Sequence, residues 1–204
     1  MCFHSKQSKS AVQVANRFKA TIEKPDLFNA NAIYNGFTYP HTPVIINKEP
    51  TLIKEFYWGL IPVWSKDDAI KAYTLNARIE TIKEKPSFKG AVKNRCLVIA
   101  DGFYEWQWLD KKGTKKQKYL LTIKDSEPFA FAGLYSDWVD KNTGEIRNTY
   151  TIVTTEANAL MAEIHNNKKR MPVILKPERE KDWLSGEEID DFKKDEIELL
   201  ATAI

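Results

Sequence analysis

The chain has 204 residues, 43% hydrophobic and 29% charged, and its 31 Lys and Arg against 28 Asp and Glu leave a net charge of +3. That composition fits one globular domain with a substantial core and excludes disordered and collagen-like chains. No run approaches the roughly 18 uncharged apolar residues of a membrane span, and the early SKQSKS stretch is not an apolar leader, so the expected location is the cytoplasm, or the nucleus in a eukaryote.

In chain order, Ala11, Val14, Ala15, Phe18 and Ile22 recur at helical spacing behind Ser10, a suitable N-cap, and predict a helix over 10–22. A turn-rich stretch follows from Asn29 to Pro43. PVIIN and KEFYWGLIP then read as strands, and PSFKGAVKN as a short helix with Pro86 in its first turn. The next block is strongly β. CLVIADGFYEW, KKQKYLLTIK, EPFAFAGLYSDW and RNTYTIVTT are apolar or alternating runs separated by turn sequences. TTEANALMAEIH predicts a helix capped by Thr154 or Thr155, MPVIL a further strand, and Pro177 a short helix carrying Trp183. The tail, 186–204, predicts an acidic amphipathic helix with Ile189, Phe192, Ile197 and Leu200 inward. No repeat or linker divides the chain. The expectation is a single α+β domain over 1–204, a mostly antiparallel curved sheet or open β-barrel with peripheral helices.

Of the two cysteines, Cys96 lies in the apolar run RCLVIA and reads as a small core hydrophobe. Cys2 has such different surroundings that no disulfide is expected, in keeping with a reducing compartment. Three His without C-x-x-C or H-E-x-x-H spacing suggest no metal site, and no cofactor is expected. Basic residues cluster at Lys111, Lys112, Lys115, Lys116 and Lys118 and again at Lys168, Lys169 and Arg170, whereas EEIDDFKKDEIELL is acidic. This leaves room for a positive groove despite the near-neutral total, although a solvated hairpin loop explains the first cluster equally well.

Four short stretches place polar chemistry beside apolar runs. NARIET holds Asn76 and Arg78, ADGFYEW holds Glu105 between Tyr104 and Trp106, and EIHNNKKRMP places His165 at a helix end before Arg170. The fourth is Cys2 in MCFH, which carries a thiol and a free α-amine together once Met1 is removed. Each has an ordinary explanation: a turn, a solvent-facing carboxylate, an imidazole suited to a helix C-terminus, a small residue after a start codon.

Together they form an ordered set. MC at the start, W-G-L-I-P-x-W (Trp58 to Trp64), N-A-R-x-E-T (Asn76 to Thr81), A-D-G-F-Y-E-W (Ala100 to Trp106) and I-H-x-x-x-x-R-M-P-V-I-L (Ile164 to Leu175) resemble the SRAP family, the SOS-response-associated peptidase domain, over residues 2 to about 185. The resemblance implies a monomer that forms a covalent crosslink with abasic sites in single-stranded DNA, shields them in the DNA damage response, and can have abasic-site lyase and crosslink-reversal activity. An abasic sugar exposes an aldehyde when its ring opens. An α-amine with a reference pKa of about 7.7–8.0 is partly neutral at cellular pH and can form an imine there. The thiol on the same residue then closes a five-membered thiazolidine, helped by the high effective molarity of an intramolecular step.

By the same resemblance Glu105 is the acid/base group, with a pKa raised by its aromatic neighbours. His165 protonates the sugar ring oxygen, for which a pKa near neutrality is suited. Asn76 positions the aldehyde oxygen. Arg78 and Arg170 are phosphate clamps, and Trp64 stacks a base beside the lesion. The chain departs from the common family pattern in three places. Phe3 and His4 stand where many members have Gly-Arg, which leaves His4 as a weaker phosphate contact. YNGFTYPHTP (Tyr34 to Pro43) replaces the usual loop, with Asn35 kept near the DNA. Four residues, NNKK, separate His165 from Arg170. Two other functions are compatible with the residues: a thiol peptidase or autoprocessing hydrolase with Cys2 as nucleophile, and a non-enzymatic single-stranded DNA-binding module.

Overall fold

The computed structural model describes residues 2–30, 32–193 and 197–204. The chain opens with β1 (His4–Gln7), followed by α1 (Ala11–Phe18). Ser10 caps α1 in a reciprocal capping box with Gln13, and Lys19 ends it in a left-handed conformation at φ 50°. The helix is therefore shorter than the 10–22 pattern suggests. The β-branched pair Thr21–Ile22 instead forms β2, parallel to the start of a later strand. Next come β3 (Ala32–Asn35), β4 (His41–Ile46), β5 (Leu52–Trp58), β6 (Asn76–Arg78) and α2 (Pro86–Lys89).

The predicted β block is present, with one break. CLVIADGFYEW is two strands, β7 (Arg95–Ala100) and β8 (Gly102–Trp108), which part at Asp101 and enter different sheets. After them lie β9 (Lys116–Thr122), β10 (Phe129–Val139), β11 (Ile146–Glu156), α3 (Ala159–Ile164), β12 (Arg170–Pro172), β13 (Ile174–Leu175), α4 (Glu180–Ser185) and β14 (Leu200–Ala203). Asn158, not Thr154 or Thr155, caps α3: its Oδ1 accepts from the Met161 amide at 3.0 Å. Both threonines are spent inside β11, the state their β-branched side chains favour. The expected C-terminal helix is absent among the described residues. Ile189–Phe192 make a single 3-10 turn that buries Ile189 and Phe192, and Leu200–Ala203 pair with β9 as an exposed edge strand. Residues 194–196 of that expected helix lie outside the described set.

Two sheets result. One runs β14-β9-β8-β1-β3. In the other, β11, β10, β7, β4 and β5 are neighbours in that order, and β5 returns to β11 through parallel Thr149↔Tyr57 and Tyr150↔Trp58 pairs, closing a five-strand ring. Both faces of the ring are covered. Cys96 and Val98 of β7 point to a core shared with Phe103 and Leu121 of the other sheet, while Leu97 and Ile99 meet Val14, Trp183 and Phe192 on the helical side. Double-sided burial is why these strands read as continuous apolar runs rather than as alternation.

Candidate active site

Residues 2–4 enter the structure between three anchors. The Phe3 carbonyl accepts from the Gly36 amide at 2.8 Å, and His4 pairs with Asn35 on one side and Tyr104 on the other. The Cys2 carbonyl accepts from Asn76 Nδ2 at 2.9 Å. Gly36 has a steric reason. A Cβ there would stand 3.3 Å from both the Phe3 carbonyl and the Trp58 ring, tighter than ordinary contact. Trp58 in turn donates from Nε1 to the Leu75 carbonyl at 2.9 Å, fixing the residue next to Asn76.

Cys2 is fully buried in the core that also contains Trp58, Met161 and Ile164. Burial pushes its thiol pKa far up, and the negative charge of Glu105 adds to the effect. Glu105 comes from the middle of β8, on the face that turns inward with Phe103. It is 4% exposed, and desolvation raises its carboxyl to about 7, well above the usual carboxylate range. Asn76 starts β6, parallel to β11, where its Oδ1 is buried without a hydrogen-bond partner among the described residues. Cys2, Asn76 and Glu105 are thus brought together from three elements distant in sequence.

His165 follows α3, which packs on β8. Its Nδ1 lies 2.9 Å from the Arg170 carbonyl oxygen and 3.2 Å from the Arg170 amide nitrogen. The NNKK segment between them is a tight turn: Lys169 takes φ 50° and donates its amide to the His165 carbonyl at 2.8 Å. The longer spacing therefore still returns Arg170 to His165. Asn166 in this turn grips the end of β8 through both Trp108 backbone groups, at 3.1 and 2.9 Å. The expected near-neutral imidazole is corrected: burial, the largest cause, lowers His165 to about 4, so it is uncharged at pH 7.

The residues expected to meet DNA differ in what they touch. Arg170 is 7% exposed, and its guanidinium holds both Glu80 oxygens at 2.8 Å and the Thr154 carbonyl at 2.9 Å. It is an internal brace rather than an open clamp. Arg78, by contrast, is exposed and makes no ion pair with the described residues. Trp64 is 56% exposed and donates to the Pro86 carbonyl at 3.3 Å. Asn35 spends its Oδ1 on the Phe37 amide at 3.1 Å. His4 packs edge-on to Trp106, 4.9 Å between ring centres, with its pKa lowered by burial and by Lys118.

Sequence reasoning passed over Asp101. Fully buried at the β7–β8 break, it accepts from the Ser8 amide, from Ser8 Oγ at 2.8 Å and from the Lys9 amide at 3.1 Å, with Lys6 Nζ 3.2 Å away. It thereby locks the far end of β1, the strand that delivers Cys2. An Asp-Gly pair inside an apolar run was the available signal.

The chain belongs to the SOS response associated peptidase (SRAP) family, whose model matches residues 1–203. It is 50% identical over 136 residues to the abasic site processing protein YoqW of Bacillus subtilis (strain 168), covering 65% of this chain and 57% of that protein. It is 33% identical over 162 residues to the abasic site processing protein HMCES of Gallus gallus, covering 68% of this chain and 46% of that one. The matches thus span only about half the length of these curated relatives. An X-ray structure of a protein from Bacteroides thetaiotaomicron superposes with a TM-score of 0.90 at 35% identity, over all of this chain and 92% of that one.

Proposed function

We propose that the protein processes abasic sites in single-stranded DNA by forming a thiazolidine through Cys2 after removal of Met1. The observation that carries this reading is the seat of Cys2, with its carbonyl held by Asn76 and its buried thiol within the electrostatic reach of Glu105, whose own carboxyl is raised to about 7. While Met1 is attached, the Cys2 nitrogen is an amide and cannot react, so maturation is the first step. The free amine adds to the ring-opened aldehyde to give a carbinolamine. Protonated Glu105 gives its proton to the departing hydroxyl, and water leaves as the imine forms. The nitrogen keeps its proton, so this imine is an iminium; carboxylate Glu105 then takes the thiol proton while sulfur adds to the iminium carbon and the π electrons return to nitrogen. One water is lost overall and nothing is oxidised or reduced. The half-buried Asn76 side chain orients Cys2 and keeps its buried Oδ1 for a sugar hydroxyl, and neutral His165 serves as a hydrogen-bonding partner of the opening sugar.

A thiol peptidase is the less favoured reading. Such enzymes depress the thiol pKa to hold a thiolate, whereas burial here raises it. The amine-first route needs no standing thiolate. Lyase turnover and crosslink reversal would use the same Glu105. The test is a denaturing gel after incubation with abasic single-stranded DNA. Wild type should give a heat-stable shifted band, absent in Cys2→Ala and in protein whose N-terminus carries an irremovable tag. A band that persists in Cys2→Ala overturns the proposal.

A further inference from the structure

Sheet register gives β8 and β9 two faces. Phe103, Glu105 and their partners Leu121 and Tyr119 look inward. The opposite face carries Tyr104, Trp106 and Trp108 from β8, set against Leu120, Lys118 and Lys116 of β9. Nζ of Lys118 lies 4.2 Å from the Tyr104 ring centre and 5.8 Å from that of Trp106, and Nζ of Lys116 lies 5.5 Å from that of Trp108. Three more lysines, Lys111, Lys112 and Lys115, crowd the connecting turn. That turn is well built. Asp110 accepts from the Thr114 and Lys115 amides at 2.9 and 3.2 Å, and Gly113 approaches Trp108 so closely that a Cβ would stand 2.5 Å from its ring. Lys116 and Lys118 are therefore presented by a fixed hairpin, and their partners across it are Trp108 and Trp106 rather than carboxylates.

We infer that this outer face of the β8–β9 hairpin is a second contact surface, a track for the single-stranded DNA running on from the reaction site. Lys116 and Lys118 bind phosphates along it, and the half-buried Trp106 stacks an unpaired base. The occupant is set by chemistry. Cations interleaved with aromatic rings at a two-residue repeat suit a flexible polyanion that also offers flat apolar groups, the pattern of single-strand binders. An acidic peptide would satisfy the lysines and leave the rings unused. Position supports the same occupant, because Trp106 packs on His4, two residues on from Cys2, with 4.9 Å between ring centres. The inference rests on the abasic-site reading for the identity of the strand, and its test is separable from it.

The experiment is equilibrium binding of an undamaged single strand of about 16 nucleotides across a salt series. It compares wild type, the pair Lys116→Gln with Lys118→Gln, and a charge-matched control pair, Lys141→Gln with Lys181→Gln. The hairpin pair should bind about tenfold more weakly near 0.15 M salt, and its slope of log affinity against log salt should shrink by about 1.4. The control pair should match wild type. Because Lys118 packs on Tyr104, the melting temperature is read alongside, and Lys111→Gln with Lys112→Gln, exposed in the turn, should act in the same direction. Equal affinity and slope in the hairpin variants, or an equal loss in the control, overturns the inference. If wild type forms no abasic adduct while the hairpin pair still controls affinity, the Cys2 reading falls and the track stands.

Discussion

Asn76 donates from Nδ2 to the carbonyl oxygen of Cys2 at 2.9 Å, across 74 residues of chain. Cys2 is thus oriented by β6, a three-residue strand itself fixed by parallel pairing to β11 and by the Trp58–Leu75 bond. Losing a hydrogen bond of this kind costs about 1 kcal/mol. Asn76→Ala should accordingly slow adduct formation about fivefold at unchanged DNA affinity, and Asn76→Asp more, since a carboxylate would face the carbonyl. Initial rates on denaturing gels check this, and equal rates would contradict it.

Glu105 gives a pH test with a definite sign. Its folded pKa is raised from 4.5 to about 7, so the stability from holding that proton is complete below about pH 4.5 and is lost as pH rises through 7. Glu105→Gln removes this loss. The variant should gain up to about 3 kcal/mol over wild type at pH 8 and little near pH 4.5, as read from denaturant unfolding at both values. The same substitution should abolish the adduct or slow it severely.

His165 works in the opposite direction. Its folded pKa is lowered from 6.5 to about 4, so its contribution is present above 6.5 and lost as pH falls toward 4. His165→Gln should flatten the decline of stability between those values. Adduct rates in wild type should show no break near 6.5 from this ring.

The two arginines should separate cleanly. Arg170→Ala leaves Glu80, about one-third exposed, without its bidentate partner and empties an internal brace. A loss of about 2 kcal/mol is expected, which for a chain of this size lowers Tm by about 4–8 °C. Arg78→Ala should stay within about 0.5 kcal/mol of wild type and instead weaken DNA binding and reduce its salt dependence. Calorimetry and binding isotherms on both variants distinguish the roles.

Legibility in the sequence followed burial. Runs buried on both faces, such as Arg95–Ala100 and Phe129–Val139, identified strands directly because their apolar content has no competing explanation. The acidic tail misled because Ile189 and Phe192 fit a helical stripe equally well, and only the exposed edge of β9 reveals that Leu200–Ala203 has a strand to join. In the candidate site, the motifs pointed to Cys2, Asn76, Glu105 and His165, yet the uses of Arg170 and Asp101 depend on partners far along the chain. Arg170 in a basic turn looks like a clamp until Glu80 and Thr154 close on it. The charge state of His165 likewise depends on its depth, which composition does not carry.

In the proposed adduct both groups of Cys2 end in one ring. Mass spectrometry of the proteolysed adduct tests it most directly, with iodoacetamide added to mark any free thiol. The expected product is a Cys2 peptide lacking Met1, carrying the abasic fragment at the summed mass less one water, with sulfur unavailable to alkylation. An adduct on a lysine, or one on Cys2 whose thiol still alkylates, would contradict it.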